Sequence, residues 1–173
     1  DYVLEPRLML EVRVRDAAGR ETGPPQLGLN EAAVVRGGRA QVMRLQVDVG
    51  DSRVATYISD GVVVASPTGS TGYSFSAGGP IIEPTSRNLV VTPIAAYLTP
   101  LRSSVVGPQH AVRVTVEAAY DCLLSIDGRL DVELEVGSQV EVAARQKPIT
   151  FLQPRGALPF WDLLRQKATL LPD

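Results

Sequence analysis

Cysteine and histidine are almost missing from these 173 residues: Cys122 and His110 are the only examples. One thiol and one imidazole cannot build a Cys/His zinc centre or a disulfide framework. His110 has no serine and aspartate placed near it in the sequence as a nucleophilic triad would require. Cys122, set in an apolar stretch, reads as a small buried hydrophobe. An excess of positive charge is also lacking, with 17 Lys and Arg against 19 Asp and Glu and a formal net charge of −2. No basic field exists to drive binding to nucleic acid, so no nucleic-acid partner is expected. No apolar run approaches the ~20 residues of a membrane helix, so no membrane partner is expected either. The opening DYVLEPR is not a signal peptide, and a cytoplasmic location is the expectation. The first residue is Asp1 and not Met, and the chain reads as a piece of something longer.

What is present favours strands. Valine supplies 23 residues, while Ala- or Leu-rich helical stretches are absent before the C-terminus. In LMLEVRVR, Leu8, Leu10, Val12 and Val14 share one side. In VMRLQVDV, Met43, Leu45, Val47 and Val49 point in, and Arg44, Gln46 and Asp48 point out. Gly50-Asp51 then offers a turn into RVATYI. Similar alternation recurs at Val112, Val114 and Val116, at Leu130, Val132, Leu134 and Val136, and at Val140 and Val142. Asp127-Gly128 is a strong hairpin signal between them. VVVAS (62–66) has no polar alternation and predicts a strand buried on both faces. AAGRETGPPQ (17–26) reads as a loop. The fold expected is mainly β, a sandwich of stacked sheets. A short helix should follow the TGSTGY loop, and a C-terminal helix should span 159–171 with Phe160, Leu163, Leu164 and Ala168 on one face.

The densest polar candidate is Asp60-Gly61, the buried run, then SPTGSTGYSFSAGGP (66–80). A strand feeding a Gly/Ser/Thr turn and a short helix exposes backbone N–H groups and hydroxyls that suit a phosphate or a ribose. Tyr73 adds an aromatic face for a base. A Gly-rich bend joining two strands has the same composition. The loop is not a Walker A sequence, because the Gly-Lys-Ser/Thr ending is missing. The second candidate is Asn30-Glu31, an adjacent amide and carboxylate suited to neighbouring hydroxyls, although such a dipeptide commonly marks only a strand end.

Taken in order, these residues resemble the NAD kinase family. The ordered set is Leu29-Asn30-Glu31, Asp60-Gly61, the 66–80 block, Thr92-Pro93-Ile94 and Arg102. Glu5-Pro6-Arg7-Leu8-Met9-Leu10 and Phe160-Trp161-Asp162-Leu163-Leu164-Arg165-Gln166-Lys167 resemble its outlying segments. The resemblance implies an enzyme that phosphorylates the adenosine-ribose 2′-hydroxyl of NAD to give NADP, using ATP-Mg²⁺ or polyphosphate. It also implies an N-terminal α/β half bearing a Gly-Gly-Asp-Gly loop. That motif does not occur here, since Gly37-Gly38 precedes Arg39 and Gly78-Gly79 precedes Pro80. Residues 1–173 therefore resemble the C-terminal, NAD-binding half, which forms a homodimer or homotetramer and packs its last helix toward the N-terminal domain.

Carried over by position, Asn30 and Glu31 would grip the ribose and adenine side of NAD, and Asp60 would reach the nicotinamide end. Thr68, Thr71, Gly72, Tyr73, Ser74, Phe75 and Ser76 would line the adenosine pocket, and Ala95 would bring backbone close to the ligand. Arg129 stands near the family's last ligand contact, where Gln is common; Asp127 beside it reads equally as a turn residue. No catalytic or metal-binding residue is expected in this chain, and by itself it is expected to be inactive. Gly72 stands where Ala is usual, Ile58 where a basic residue is frequent, Ala96-Tyr97 in place of Pro-His, and Ser103 in place of Pro. Two other readings remain: a module that senses NAD or NADP without chemistry, and a related kinase for another hydroxyl, against which Asn30-Glu31 and Thr71-Gly72-Tyr73 speak.

Overall fold

Alternating apolar residues give each strand one dry face, and two such sheets closed against each other form the core. A computed structural model describes residues 1–38 and 41–169. The first strands are β1 (Tyr2–Arg7), β2 (Leu10–Arg15), β3 (Gln26–Gly28), β4 (Glu31–Arg36), β5 (Met43–Val49), β6 (Ser52–Ser59) and β7 (Gly61–Ala65). A 3₁₀ turn (Gly69–Thr71) and the short helix α1 (Tyr73–Ser76) follow. Then come β8 (Leu89–Ile94), β9 (Ser104–Val106), β10 (Val112–Ala118), β11 (Cys122–Ile126), β12 (Leu130–Glu133), β13 (Gln139–Ala144), β14 (Ile149–Pro154) and helix α2 (Phe160–Thr169).

The first sheet has the order β3-β2-β13-β10-β5-β6 and the second β12-β11-β4-β7-β8-β9. Every pairing in them is antiparallel. Leu10, Val12, Leu45, Val47, Val112, Val114, Val140 and Val142 of the first sheet meet Val34, Val62, Val64, Leu89 and Leu124 of the second in one buried cluster. The expected sandwich is therefore the fold. β7 is buried throughout, as its unbroken apolar run predicts. Val62 and Val64 join the main core, while Val63 and Ala65 form a smaller cluster with Ala33 and Val90 on the opposite face. Cys122 is buried among apolar side chains, and that burial pushes its thiol up to about 12.

Several local expectations change. Asp48 lies on the outer face of β5 but is only 9 % exposed. Gln46 Nε2 donates to both its carboxylate oxygens, at 3.0 and 2.7 Å, and covers it. Val136 does not continue the alternation: β12 ends at Glu133, the chain turns at Gly137 (φ 92°), and Val136 is left exposed. The 17–26 loop is shorter by one residue, because Gln26 already pairs with Val12. Residues 170–171 of the expected helix lie outside the described residues, as do the side chains of Leu130 and Ala168. Leu163 is exposed and Leu164 half-buried, so the apolar face of α2 is largely open.

One element has no counterpart in the sequence reading. β1 and β14 form a separate two-stranded ribbon, from Tyr2 opposite Pro154 to Arg7 opposite Ile149. Pro93 was legible only as part of a motif, yet it lies within β8. It sits past Val91, the last residue that β9 pairs with, where its missing N–H breaks no bond to that edge.

Leu124 is wholly buried in the main cluster. Leu124→Ala is expected to lower unfolding free energy by about 2–5 kcal/mol through the cavity it leaves. Urea denaturation should show this as a lower midpoint with an unchanged slope.

Candidate functional site

The chain crosses from the first sheet to the second at two tight corners, Leu29–Asn30 between β3 and β4 and Asp60 between β6 and β7. At a corner, backbone polar groups leave one ladder before joining the next and need other partners. Asp127 and Ser66 provide them at the first corner. The Asp127 carboxylate accepts the N–H groups of Leu29 (2.7 Å), Asn30 (2.7 Å) and Glu31 (3.0 Å). Ser66 Oγ donates to the Leu29 carbonyl at 2.5 Å, and Ser66 N–H donates to the Asn30 carbonyl at 2.8 Å. The Asp127 N–H donates to the Glu31 carbonyl at 3.0 Å. All six backbone groups of residues 29–31 are thus satisfied.

The Gly/Ser/Thr loop lies directly on this corner. Gly69 donates its N–H to Ser66 Oγ at 3.2 Å, and a Cβ at Gly69 would overlap the Asn30 backbone. At Gly72 a Cβ would stand 3.7 Å from Glu31 Oε2, so the carboxylate lies beneath the loop. Thr68 is half-buried and accepts from Arg7 Nη1 at 3.3 Å. Arg7 also pairs with Glu5 and stands 5.2 Å above the centre of the Phe151 ring, tying the β1–β14 ribbon to the loop.

The stretch Thr71–Ser76 is divided among three environments. Ser74 is fully buried with its hydroxyl 3.0 Å from Thr92 Oγ1, so it packs the loop from below and offers no side-chain group at the surface. Thr71 and Phe75, with Ile81, face Phe160, Leu163 and Leu164 of α2 across a groove of about 460 Å³. Gly72 lies beside Glu31, whereas Tyr73 stands toward Asp60 and Arg36. Ser76 is exposed, its hydroxyl 3.5 Å from the Gly72 carbonyl.

Asp60 is not brought to Asn30 and Glu31. Glu31 pairs with Ala65 at one end of the β4–β7 ladder, and Val35 pairs with Gly61 at the other. Those ends are roughly 13 Å apart along the strand, at ~3.3 Å per residue. Asp60 instead forms an ion pair with Arg36, Nε to Oδ1 3.0 Å, both side chains one-third exposed. Ala95 is exposed and adopts φ 47°, a left-handed conformation costly for a residue with a Cβ. It lines a cleft of about 280 Å³ with Ala77, Gly78, Pro93, Thr99 and Arg102. Arg102 makes no ion pair among the described residues. Arg129 is exposed in the hairpin turn, its N–H on the Ile126 carbonyl at 3.0 Å.

Sequence reasoning missed Arg36 and the use made of Asp127, Ser66 and Arg7. Arg36 was legible only through the β4–β7 register, which sets the residue after Val35 beside the residue before Gly61. Among the described residues, no three His, Cys, Asp or Glu side chains gather as ligands for a metal ion.

The sequence profile of the ATP-NAD kinase C-terminal domain matches residues 29–153. An NAD kinase of Symbiobacterium thermophilum is 44% identical over 168 residues, covering 96% of this chain and 58% of that protein. An NAD kinase of Heliobacterium modesticaldum is 36% identical, with the same coverage of both chains. The chain thus spans less than two thirds of the length of these relatives. Among solved structures, yeast NADH kinase complexed with NADH has a TM-score of 0.85 at 20% identity, over 97% of this chain and 51% of that one. An NAD kinase from Archaeoglobus fulgidus in complex with ATP has a TM-score of 0.79 at 26% identity, over 97% and 61%.

Burial, and secondarily the charge of Asp127, raises the pKa of Glu31 above its ordinary 4.5. The folded state therefore favours the neutral acid, and the resulting stability is present below pH 4.5 and lost as pH rises through the folded value. Glu31→Gln is expected to raise the urea midpoint at pH 7, with the gain disappearing below about pH 4. A gain of equal size at both pH values would contradict this linkage.

Proposed function

The chain belongs to the NAD kinase family, as its C-terminal domain, and we propose that it is the half that holds NAD while the 2′-hydroxyl of the adenosine ribose is phosphorylated. The observation that carries this reading is the first corner: Asn30 and Glu31 lead into β4 from a fully hydrogen-bonded backbone, directly under Gly69 and Gly72. An amide and a carboxylate on adjacent residues of a fixed backbone suit the neighbouring hydroxyls of a vicinal diol.

In this reading Asn30 and Glu31 grip the ribose and adenine side, and Tyr73 packs on the ligand. The separation along β4 keeps Asp60 off the ribose that Glu31 of the same chain holds, and it meets the nicotinamide end. Thr68, Thr71, Gly72, Phe75 and Ser76 border the adenosine pocket. Ser74 contributes by fixing the loop through Thr92. Ala95 supplies backbone, and Arg129 stands at the pocket rim.

The phosphoryl donor, ATP or polyphosphate with Mg²⁺, is assigned to an N-terminal domain carrying the Gly-Gly-Asp-Gly loop. Phosphoryl transfer depends on positioning and on neutralising charge. This chain supplies the positioning of the acceptor and no base. The exposed apolar side chains of the ribbon, of α2 and of the segment joining them, among them Leu4, Leu152, Leu158 and Trp161, are the surface assigned to that domain. Exposed Tyr97 and Leu98 beside Ile58 suit the contact of a homodimer or homotetramer.

NADP formation from NAD and ATP-Mg²⁺ tests the division of labour. Residues 1–173 alone are expected to give none, and a chain that also carries the Gly-Gly-Asp-Gly loop is expected to be active. Turnover by the short chain would place the donor site here and overturn the reading. Tight NAD binding without turnover in the longer chain would favour a sensing module. In the longer chain, Asp60→Ala is expected to raise the KM for NAD roughly tenfold, with a smaller change in the KM for ATP. An unchanged KM for NAD would remove Asp60 from the site.

A further inference from the structure

Asp127 and Gly128 form the turn between β11 and β12 with φ of 52° and 63°. Two consecutive left-handed residues are the requirement of a tight hairpin, and Asn-Gly meets it as well as Asp-Gly does. The turn alone therefore gives no reason for a carboxylate. What the carboxylate does is accept three N–H groups from residues 96 to 98 positions earlier in the chain, at 2.7, 2.7 and 3.0 Å. Bonds to an ionised acceptor are about twice as strong as neutral ones.

The Asp127 backbone adds to this hold. Its N–H donates to the Glu31 carbonyl, so Glu31 is held by Asp127 at both its N–H and its C=O. Ser66 takes the remaining two carbonyls, of Leu29 and Asn30. Crossing between sheets would otherwise leave the backbone of this segment without ladder partners. Instead it is fixed from two sides, with only the side chains of Asn30 and Glu31 left to meet a ligand.

We infer that Asp127 is a positioning residue for the dinucleotide site, acting through the backbone of Leu29–Glu31 rather than by touching the ligand. The inference rests on the proposed role of Asn30 and Glu31. Asp127→Asn suits the test because Asn is at home in the turn and retains one carbonyl acceptor. It loses the charge and sets an amide donor against one of the N–H groups. Asp127→Gly relieves the turn and removes the carboxylate entirely.

In the longer, active chain, assayed well below its melting temperature, both variants are expected to raise the KM for NAD by roughly tenfold or more. The KM for ATP should change less than about twofold, within the scatter of uncoupled sites. Hydrogen exchange at the amides of residues 29–31 should quicken in the ligand-free protein. Should Asp127→Gly fail to fold, Asp127→Asn decides alone. Lower stability with an unchanged KM for NAD would show a purely structural residue and overturn the inference. Asn30→Ala is measured in parallel. If it raises the KM for NAD while the Asp127 variants do not, the site stands and the inference falls. If none of the three raises it, the ribose assignment itself fails, and the inference with it.

Discussion

Gly61 to Ala65 lie between two layers of side chains, with Val62 and Val64 against the first sheet and Val63 and Ala65 on the other side. A strand with no polar face needs a cover on both sides, and the second cover cannot be another sheet here. It is the segment after β7, which packs Ile82 against that cluster and buries the hydroxyls of Ser70 and Ser74. Ser70 Oγ accepts the Ile82 N–H at 2.9 Å and lies 2.7 Å from the Pro67 carbonyl, while Ser74 meets Thr92. Buried hydroxyls satisfied in this way let a polar loop serve as a lid over an apolar strand. The remainder of the candidate site follows from that lid having to lie flat.

A flat lid needs close backbone contact, which is where glycine is required. At Gly69 the Asn30 backbone leaves no room for a Cβ, and at Gly79 the Ser74 and Thr92 hydroxyls leave none either. The same closeness brings Gly72 to Glu31 and Tyr73 to the Arg36–Asp60 pair. Burial, then the Asp60 charge, raises the Tyr73 pKa, against a lowering by Arg36, so the phenol stays neutral at physiological pH. Tyr73 therefore presents a ring and an uncharged hydroxyl to whatever approaches the loop.

The two corners divide rigid from exposed. At the first, Asp127 and Ser66 take every backbone group of residues 29–31. At the second, Asp60 is held by its own backbone, N–H to the Ile94 carbonyl and C=O from the Arg36 N–H, each at 3.0 Å. A backbone fixed at the corners of a sandwich has little freedom left to lose when a ligand arrives. Membership of the NAD kinase family and the proposed hold on NAD both accord with that economy of motion.

Period-two alternation was enough to foretell a sandwich, because burying one face of a strand is a local property of the chain. The doubly buried β7, the Asp127-Gly128 hairpin and the Gly50 turn were legible for the same reason, and the ordered motifs from Asn30 to Arg102 were legible as a resemblance. Partners distant in sequence were not. The β1–β14 ribbon joins residues nearly a chain length apart, the Asp127 carboxylate serves N–H groups almost 100 residues away, and Arg36 reaches Asp60 only through strand register. Nor could the sequence sort the stretch Thr71–Ser76 into Ser74 facing inward, Thr71 and Phe75 toward α2, and Tyr73 toward Asp60. A periodic pattern records which face of a strand is dry, but which atoms meet across the fold depends on register and corner geometry, and these exist only once both sheets have closed.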